Sequence, residues 1–238
     1  MSMQAWVSGD TPGRENLELT TVPVPAVIDD QLLVRVRGAA LNFSDPLMID
    51  DAYQVRPPRP FTPGQEISGE VVAVGARSHQ RVGDDVMAKV PWGGFAEYAL
   101  ARNDMALPVP TSMALTEAAA IPVSFTTAAV ALTESTVLEG HETILIHAAA
   151  GAVGLASVQV AKALGATVIA TAGSDAKCDL ARSLGADHAI NYREVDFRAR
   201  VLDLTGQEGV DVVLDPVGPC DPFQRRGERR PRRSGPCR

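Results

Sequence analysis

Cysteine is scarce in this chain, with three in 238 residues, and histidine scarcely commoner, with four. Cys178, Cys220 and Cys237 fall at neither disulfide nor zinc spacing, so no disulfide framework or cysteine-rich metal lobe is expected. No run of eighteen apolar residues occurs, which excludes a predicted membrane span. The opening MSMQAWVSGD lacks a basic region followed by an apolar one, so no secretory signal is read. A reducing, cytoplasmic setting is therefore expected. Positive charge is also short: 22 lysines and arginines face 29 acids, for a net charge of −7. That deficit is uneven, because residues 218–238 hold seven arginines against Asp221 and Glu228. The rest of the chain is correspondingly more acidic, which gives no reason to expect nucleic-acid binding.

What is present is a good core composition, 45% apolar, in a length that suits one large domain or two modest ones. The first part of the chain alternates short strand patterns with turn signals. QLLVRVRGAAL, SGEVVAVG, DDVMAKV and GGFAEYAL are strand candidates bounded by Gly and Pro, the pattern of a compact β-rich domain. TTVPVPAVIDD reads as a proline-broken edge or loop. From about Thr116 the composition turns helical, with TEAAAI and FTTAAVALTEST. A regular alternation follows. ETILIHAAA, ATVIATAG, DHAINY and GVDVVLD read as strands, and GAVGLASVQVAKALG, SDAKCDLARSLG and DFRARVLDLTG as helices. Gly165, Gly185 and Gly206 stand at the helix ends, where a left-handed residue is wanted, and Ser174 stands at an N-cap. Strands alternating with helices predict a parallel sheet covered on both faces, in keeping with strands that are apolar throughout.

The most informative stretch is ILIHAAAGAVGLASVQVAKALGATVIATAG, a strand, a tight turn, a helix and a second strand. Gly151 stands where backbone must approach a ligand, and Gly154 where helix must pack close to strand. The helix start then presents unpaired N–H groups and a positive dipole end to a diphosphate. Ala149 occupies the place of the first glycine of the dinucleotide fingerprint, so the motif is a variant supported by its context. Ala150, Gly151, Ala152, Val153 and Gly154 are the candidate phosphate-binding residues. At the end of the second strand an NAD site usually offers a carboxylate to the ribose. Here Gly173 and Ser174 occupy the place and Lys177 follows, a combination that suits a 2′-phosphate and hence NADPH. Asp175 is a possible competing carboxylate, though acids are favoured in any first helical turn. Lys177 also reads as an ordinary solvated helix lysine.

Several of these stretches together resemble a known family. GAALNFSDPLMIDDAYQVRPPRPFTPGQEISGEVVAVG, WGGFAEYAL, AAAIPVSFTTA, HAAAGAVGLASVQVAKALGATVIATAGS, LGADHAINYRE and GVDVVLDPVG run to Gly218 in one order. They are similar to the zinc-independent quinone oxidoreductases of the medium-chain dehydrogenase/reductase superfamily. The resemblance implies an α/β chain: a β-rich GroES-like catalytic domain over residues 1–122, then an incomplete Rossmann doubly wound parallel sheet over residues 123–217. It also implies hydride transfer from NADPH to a small-molecule quinone or activated enone, with no nucleic-acid or membrane partner. Zinc-dependent relatives carry a cysteine where this chain has Asn42 and a histidine where it has Gln65. Neither replacement is a good zinc ligand, so no metal is expected.

The resemblance further implies that Asn42 and Tyr53 lie by the nicotinamide, that Thr127 holds its carboxamide and that Val217 borders its ribose. Lys177 and Tyr192 would flank the adenosine phosphate. Plainer readings stand beside these. Tyr53 reads also as a loop aromatic packing on prolines, Thr127 as a helix-start hydroxyl and Asn42 as a strand-end partner for backbone. His147 reads as a satisfied interior histidine rather than a proton donor.

The match stops at Gly218, where residues 218–238 become an Arg- and Pro-rich tail. Read one base later, the codons from Pro231 permit PGGRALVV, the turn and strand with which such chains continue. A truncating frameshift just after Gly218 is therefore expected, with a genuine basic tail for anionic partners as the alternative. On the first reading the sheet stops at its fourth strand and leaves an open edge. An impaired enzyme or an inactive nucleotide-binding remnant would result, and the homodimer made through the far sheet edge is not expected.

Overall fold

A computed structural model describes residues 1–217, arranged as two compact units, Met1–Val123 and Ser124 onward. The tail and the proposed frameshift lie outside the described residues.

The first unit is built on a five-stranded antiparallel sheet. Its strands are β3 (Gln31–Ala40), β4 (Glu66–Val74), β5 (Asp85–Lys89), β6 (Tyr98–Arg102) and β7 (Ala106–Pro108), in the order β6-β3-β4-β5-β7. Alternation sets the core: Leu32 and Val34 of β3, Ile67 and Val71 of β4 and Val86 and Ala88 of β5 are fully buried together. The helix α1 (Ser44–Ile49) sits between β3 and β4 and buries Met48 and Ile49 against Phe61. The helix α2 (Leu115–Ala118) packs on β3 and β4. The Ser68 hydroxyl, on β4, donates to the Leu115 carbonyl.

Sequence reading missed one feature here. β1 (Ser2–Ser8), not expected as a strand, pairs antiparallel with β2 (Leu17–Pro23), so the start of TTVPVPAVIDD is the edge strand that one of its two readings expected. Pro23 is the last residue of β2, opposite Ser2, and the next bond to β1's side is made by the Val24 N–H to the Met1 carbonyl (3.1 Å), without calling on the N–H that proline lacks. β1 pairs further with loop backbone rather than with a strand: Trp6 donates to the Phe95 carbonyl and Ser8 to that of Phe61.

The second unit begins within α3 (Pro122–Ala129), which continues into a π-helical turn over Val130–Ser135. Four parallel strands follow: β8 (Thr143–Ile146), β9 (Thr167–Ala172), β10 (His188–Asn191) and β11 (Val212–Leu214). Their order, β10-β9-β8-β11, is the 3-2-1-4 half of a doubly wound sheet. α4 (Ala152–Ala163), α5 (Asp175–Ser183) and α6 (Phe197–Leu204) connect them. The two-residue period divides the apolar strands between two cores. Ile144, Ile146, Val168 and Ala170 pack with Val158 and Ala161 of α4 and Ala181 of α5. Leu145, Ile169 and Ile190 pack on the opposite face with Val201 of α6. A sheet buried on both faces explains why these strands carry no polar alternation. Among the described residues, no helix is long and apolar enough to cross a membrane.

Candidate functional site

The corner after β8 is shaped by close backbone approach. Ala149 donates its N–H to the Thr171 carbonyl (3.0 Å) and Gly151 to that of Ala148 (2.9 Å), which folds the chain into a tight turn. Ala148 supplies the left-handed residue of that turn, at φ 48°, one position before the fingerprint residue expected from the sequence. Gly151 is the N-cap of α4, in extended conformation and without a side chain to cap the helix. At Gly154, a Cβ would stand 2.4 Å from the Ala148 carbonyl oxygen and 2.7 Å from the Ala149 Cα. Only glycine lets α4 start this close to the strand end. The first helical bond is Leu155 N–H to the Gly151 carbonyl, so the N–H groups of Ala152, Val153 and Gly154 have no partner among the described residues. Three unsatisfied donors at a helix start are an anion-binding cradle.

The second strand end lies one connection further on. Ser174 is the N-cap of α5, yet its hydroxyl makes no capping bond. Gly173 is approached by Tyr192 from the turn after β10. A Cβ there would be 2.8 Å from the Tyr192 hydroxyl and 3.4 Å from the Arg193 Nε. Lys177 is exposed and forms no ion pair among the described residues, in contrast to Lys162 and Arg182, which pair with Asp187 and Asp179. Asp175 is engaged: the Asn191 Nδ2 donates to its Oδ1 at 3.0 Å. His147 is also partnered, its Nδ1 lying 2.8 Å from the Thr171 hydroxyl and its ring edge-on to Phe197. Thr127 is exposed in the body of α3, so it is not a helix-start hydroxyl. Val217 is also exposed, with its N–H bonded to the Asp215 Oδ1 at 2.9 Å.

In the first unit, Asn42 closes a polar knot. Its Nδ2 donates to the Glu66 Oε1 (3.1 Å), and its backbone N–H donates to the Asp45 Oδ2 (2.7 Å). The other Glu66 oxygen accepts from the Val123 N–H at 2.8 Å. Asp45 and Glu66 are 1% and 3% exposed. Burial pushes both carboxyls up from their ordinary values, against the pull of these donors, and the nearby Asp45 charge adds to the rise at Glu66. The Ser44 hydroxyl bonds the Gln65 side chain. Both positions at which zinc-dependent relatives carry ligands thus hold amides already engaged with neighbours. Among the described residues no three His, Cys, Asp or Glu side chains converge as a metal site would require.

Tyr53 is not drawn into that knot; its ring packs on the Met48, Ile49 and Phe61 cluster. An apolar groove of about 580 Å³ opens in this unit along β6, lined by Met3, Val22, Pro60, Phe61, Trp92 and Leu100 among others, and neither Asn42 nor Tyr53 lines it. Sequence reasoning singled out neither Asp45, Glu66 nor Arg193. The signal for Glu66 was its place beside Gln65 in PGQE, and for Arg193 its place beside Tyr192 in NYRE.

Comparison with known proteins places this geometry. The model described as "Alcohol dehydrogenase GroES-like domain" matches residues 28–111, and "Zinc-binding dehydrogenase" matches residues 152–225. "Quinone oxidoreductase-like protein 2" of Bos taurus is 41% identical over 203 residues, covering 84% of this chain and 57% of its own length. The chain spans about three fifths of the curated relatives it matches. The quinone oxidoreductase of Thermus thermophilus, whose complex with NADPH has been solved, superposes with a TM-score of 0.78 at 40% identity, covering 91% of this chain and 68% of that one. That of Pseudomonas syringae gives 0.83 at 33% identity, covering 94% and 68%. With a GroES-like model matching the first unit and solved quinone oxidoreductases superposing at this identity over more than two thirds of their own length, the chain belongs to the quinone oxidoreductases of the medium-chain dehydrogenase/reductase superfamily.

Proposed function

We propose that this chain binds NADPH and passes its hydride to a small-molecule quinone or activated enone without zinc. The observation that carries the reading is the cradle of unpartnered N–H groups at Ala152, Val153 and Gly154, held against the strand end by the missing Gly154 side chain. The residues present fit a dinucleotide. The diphosphate falls to Ala150–Gly154, and the adenosine end to Gly173, Ser174, Lys177 and Tyr192. Thr127 and Val217 are assigned to the nicotinamide end. NADPH, when bound, supplies the hydride. What the chain supplies is binding and orientation: backbone donors for negative charge, a Ser174 hydroxyl that makes no capping bond and a Lys177 without an ion pair among the described residues.

Asn42 and Tyr53 are assigned to the substrate. Asn42 keeps its amide oriented because Glu66 accepts from one end of it, a positioning role rather than proton transfer. Zinc-free chemistry is supported by the engaged amides at positions 42 and 65. The few cysteines, at neither disulfide nor zinc spacing, favour a reducing compartment, and we assign the cytoplasm.

The test is a titration of the purified chain with NADPH and with NADH, followed by turnover with a simple benzoquinone. Saturable NADPH binding with NADPH oxidation supports the reading. Binding without turnover reduces the chain to a nucleotide-binding protein, and absence of binding to either cofactor overturns the reading.

A further inference from the structure

We infer that Arg193 is a specificity residue for the 2′-phosphate of the cofactor, and that Asn191 assists it by tying back the competing carboxylate of Asp175. The inference rests on the NADPH reading and deepens it. The turn after β10 brings two side chains to the end of β9: a Cβ on Gly173 would be 2.8 Å from the Tyr192 hydroxyl and 3.4 Å from the Arg193 Nε. The space left by the absent side chain is thus bordered by a hydroxyl and a guanidinium edge. Neither is used up by the fold. Tyr192 and Arg193 are exposed, and the Arg193 guanidinium forms no ion pair among the described residues, although its backbone N–H is bonded to the Asn191 Oδ1 (3.2 Å).

The same asparagine serves both purposes. Its oxygen pins the backbone of Arg193 and its Nδ2 holds the Asp175 carboxylate at 3.0 Å. Asp175 is the first residue of α5, next to Ser174, where a free carboxylate would oppose a phosphate dianion and favour a bare ribose. With Asp175 bonded to Asn191, Ser174 uncapped and Lys177 unpaired, the strand end offers a hydroxyl and two cations to a doubly negative group. Arginine adds what lysine lacks, a planar fork that meets phosphate oxygens with two donors.

The experiment compares NADPH and NADH affinity, by fluorescence titration of the whole chain, in wild type, Arg193→Ala, Arg193→Lys and Asn191→Ala. Displacement of NADPH by 2′,5′-ADP and by ADP isolates the phosphate contribution. Arg193→Ala is expected to weaken NADPH and 2′,5′-ADP roughly ten- to hundredfold while moving NADH and ADP less than about twofold. Arg193→Lys should recover only part of that loss, and Asn191→Ala should lower the NADPH-to-NADH preference by a smaller factor. An unchanged preference in Arg193→Ala overturns the inference while leaving the cofactor reading intact. A wild type that binds neither cofactor breaks the cofactor reading itself. Because Arg193 is exposed, the variant should keep the wild-type melting temperature. A variant that loses NADPH and NADH alike with a lowered melting temperature assigns Arg193 a structural role, and that also overturns the inference.

Discussion

The two units handle charge in opposite ways. In the first, two carboxylates lie almost wholly buried, Asp45 at 1% and Glu66 at 3% exposure, and three donors from Asn42 and Val123 hold them in place. In the second, the candidate site has no buried carboxylate among the described residues. It presents backbone N–H groups at α4 and side chains on the surface around Gly173, and Lys177 and Arg193 there form no ion pair among the described residues. A buried carboxylate in a knot of donors fixes geometry at an energetic cost. An open set of donors leaves its interactions to be completed by an anion. The contrast teaches where each unit is fragile: the first should be sensitive to losing a partner, the second to losing space.

The sharpest test of that space is Gly154→Val. The added carbons meet backbone at 2.4–2.9 Å, the Ala148 carbonyl and Ala149, which cannot swing aside as a side chain would. Overpacking ordinarily costs about 1–3 kcal/mol, and a backbone obstacle puts this site at or beyond the upper end. Loss of NADPH binding together with a lower melting temperature is expected. Because Trp6 and Trp92, the chain's two tryptophans, both belong to the first unit, their unfolding signal should move less than far-ultraviolet circular dichroism. Equal shifts in the two signals would break the assignment of damage to the second unit.

Next in size comes Glu66→Ala. It leaves the Val123 N–H and the Asn42 amide without their acceptor, at about 1–3 kcal/mol for each group left buried and unsatisfied. Glu66→Gln keeps the shape and one acceptor, so it should lose less. Here the tryptophan signal is expected to report the loss, with NADPH affinity unchanged. A variant with wild-type stability would show that the knot contributes nothing to the fold.

Titration sharpens the same contrast. Burial raises Asp45 and Glu66, so between the ordinary carboxylate range and the raised values the native state holds more protons than the unfolded chain. Stability of the first unit should therefore fall as pH rises through that window and recover on acidification back through it. Asp187, in the second unit, goes the other way. Partial burial pushes it up, but the Val168 N–H and Lys162 hold it below its usual value. Its contribution is complete above the ordinary carboxylate range and is lost as pH falls through the depressed value. Tryptophan-detected denaturation should thus grow more resistant on mild acidification in wild type and stay flat in an Asp45→Asn/Glu66→Gln double variant. Asp187→Asn should leave this profile unmoved and cost the second unit little, since its ion pair is part exposed.

Much of this was legible beforehand for a physical reason. The second unit's strands are buried on both faces and its helices end at glycines, so local pattern and tertiary structure agree from Thr143 to Leu214. The Gly154 contact was legible too, because a glycine one turn into a helix after a strand serves close packing. Local pattern failed where partners are distant. β1 and β2 need each other across a loop, and neither has a turn of hairpin type to announce it. The Glu66 link to Asn42 spans 24 residues and the Gly173 approach to Tyr192 spans 19, distances over which spacing carries no signal. The left-handed residue at Ala148 was hidden because alanine does not advertise a positive φ as glycine does.

The smallest expected effect is also the most selective. Gly173→Ala adds one carbon 2.8 Å from the Tyr192 hydroxyl and 3.2 Å from its Cζ, so the ring must give way. Tyr192 is 49% exposed and has solvent to move into, so stability should change by no more than about 0.5 kcal/mol. What changes is the space beside Ser174. With Tyr192 displaced and the added methyl facing the Arg193 Nε, a phosphate would lose a hydroxyl and part of its access to the guanidinium. NADPH affinity should fall about threefold to tenfold, and NADH affinity by less, at constant melting temperature. Equal losses for both cofactors would mean that Gly173 serves the adenosine rather than its phosphate. An unstable variant would mean that it serves the strand end, so this one carbon separates three uses of the same absent side chain.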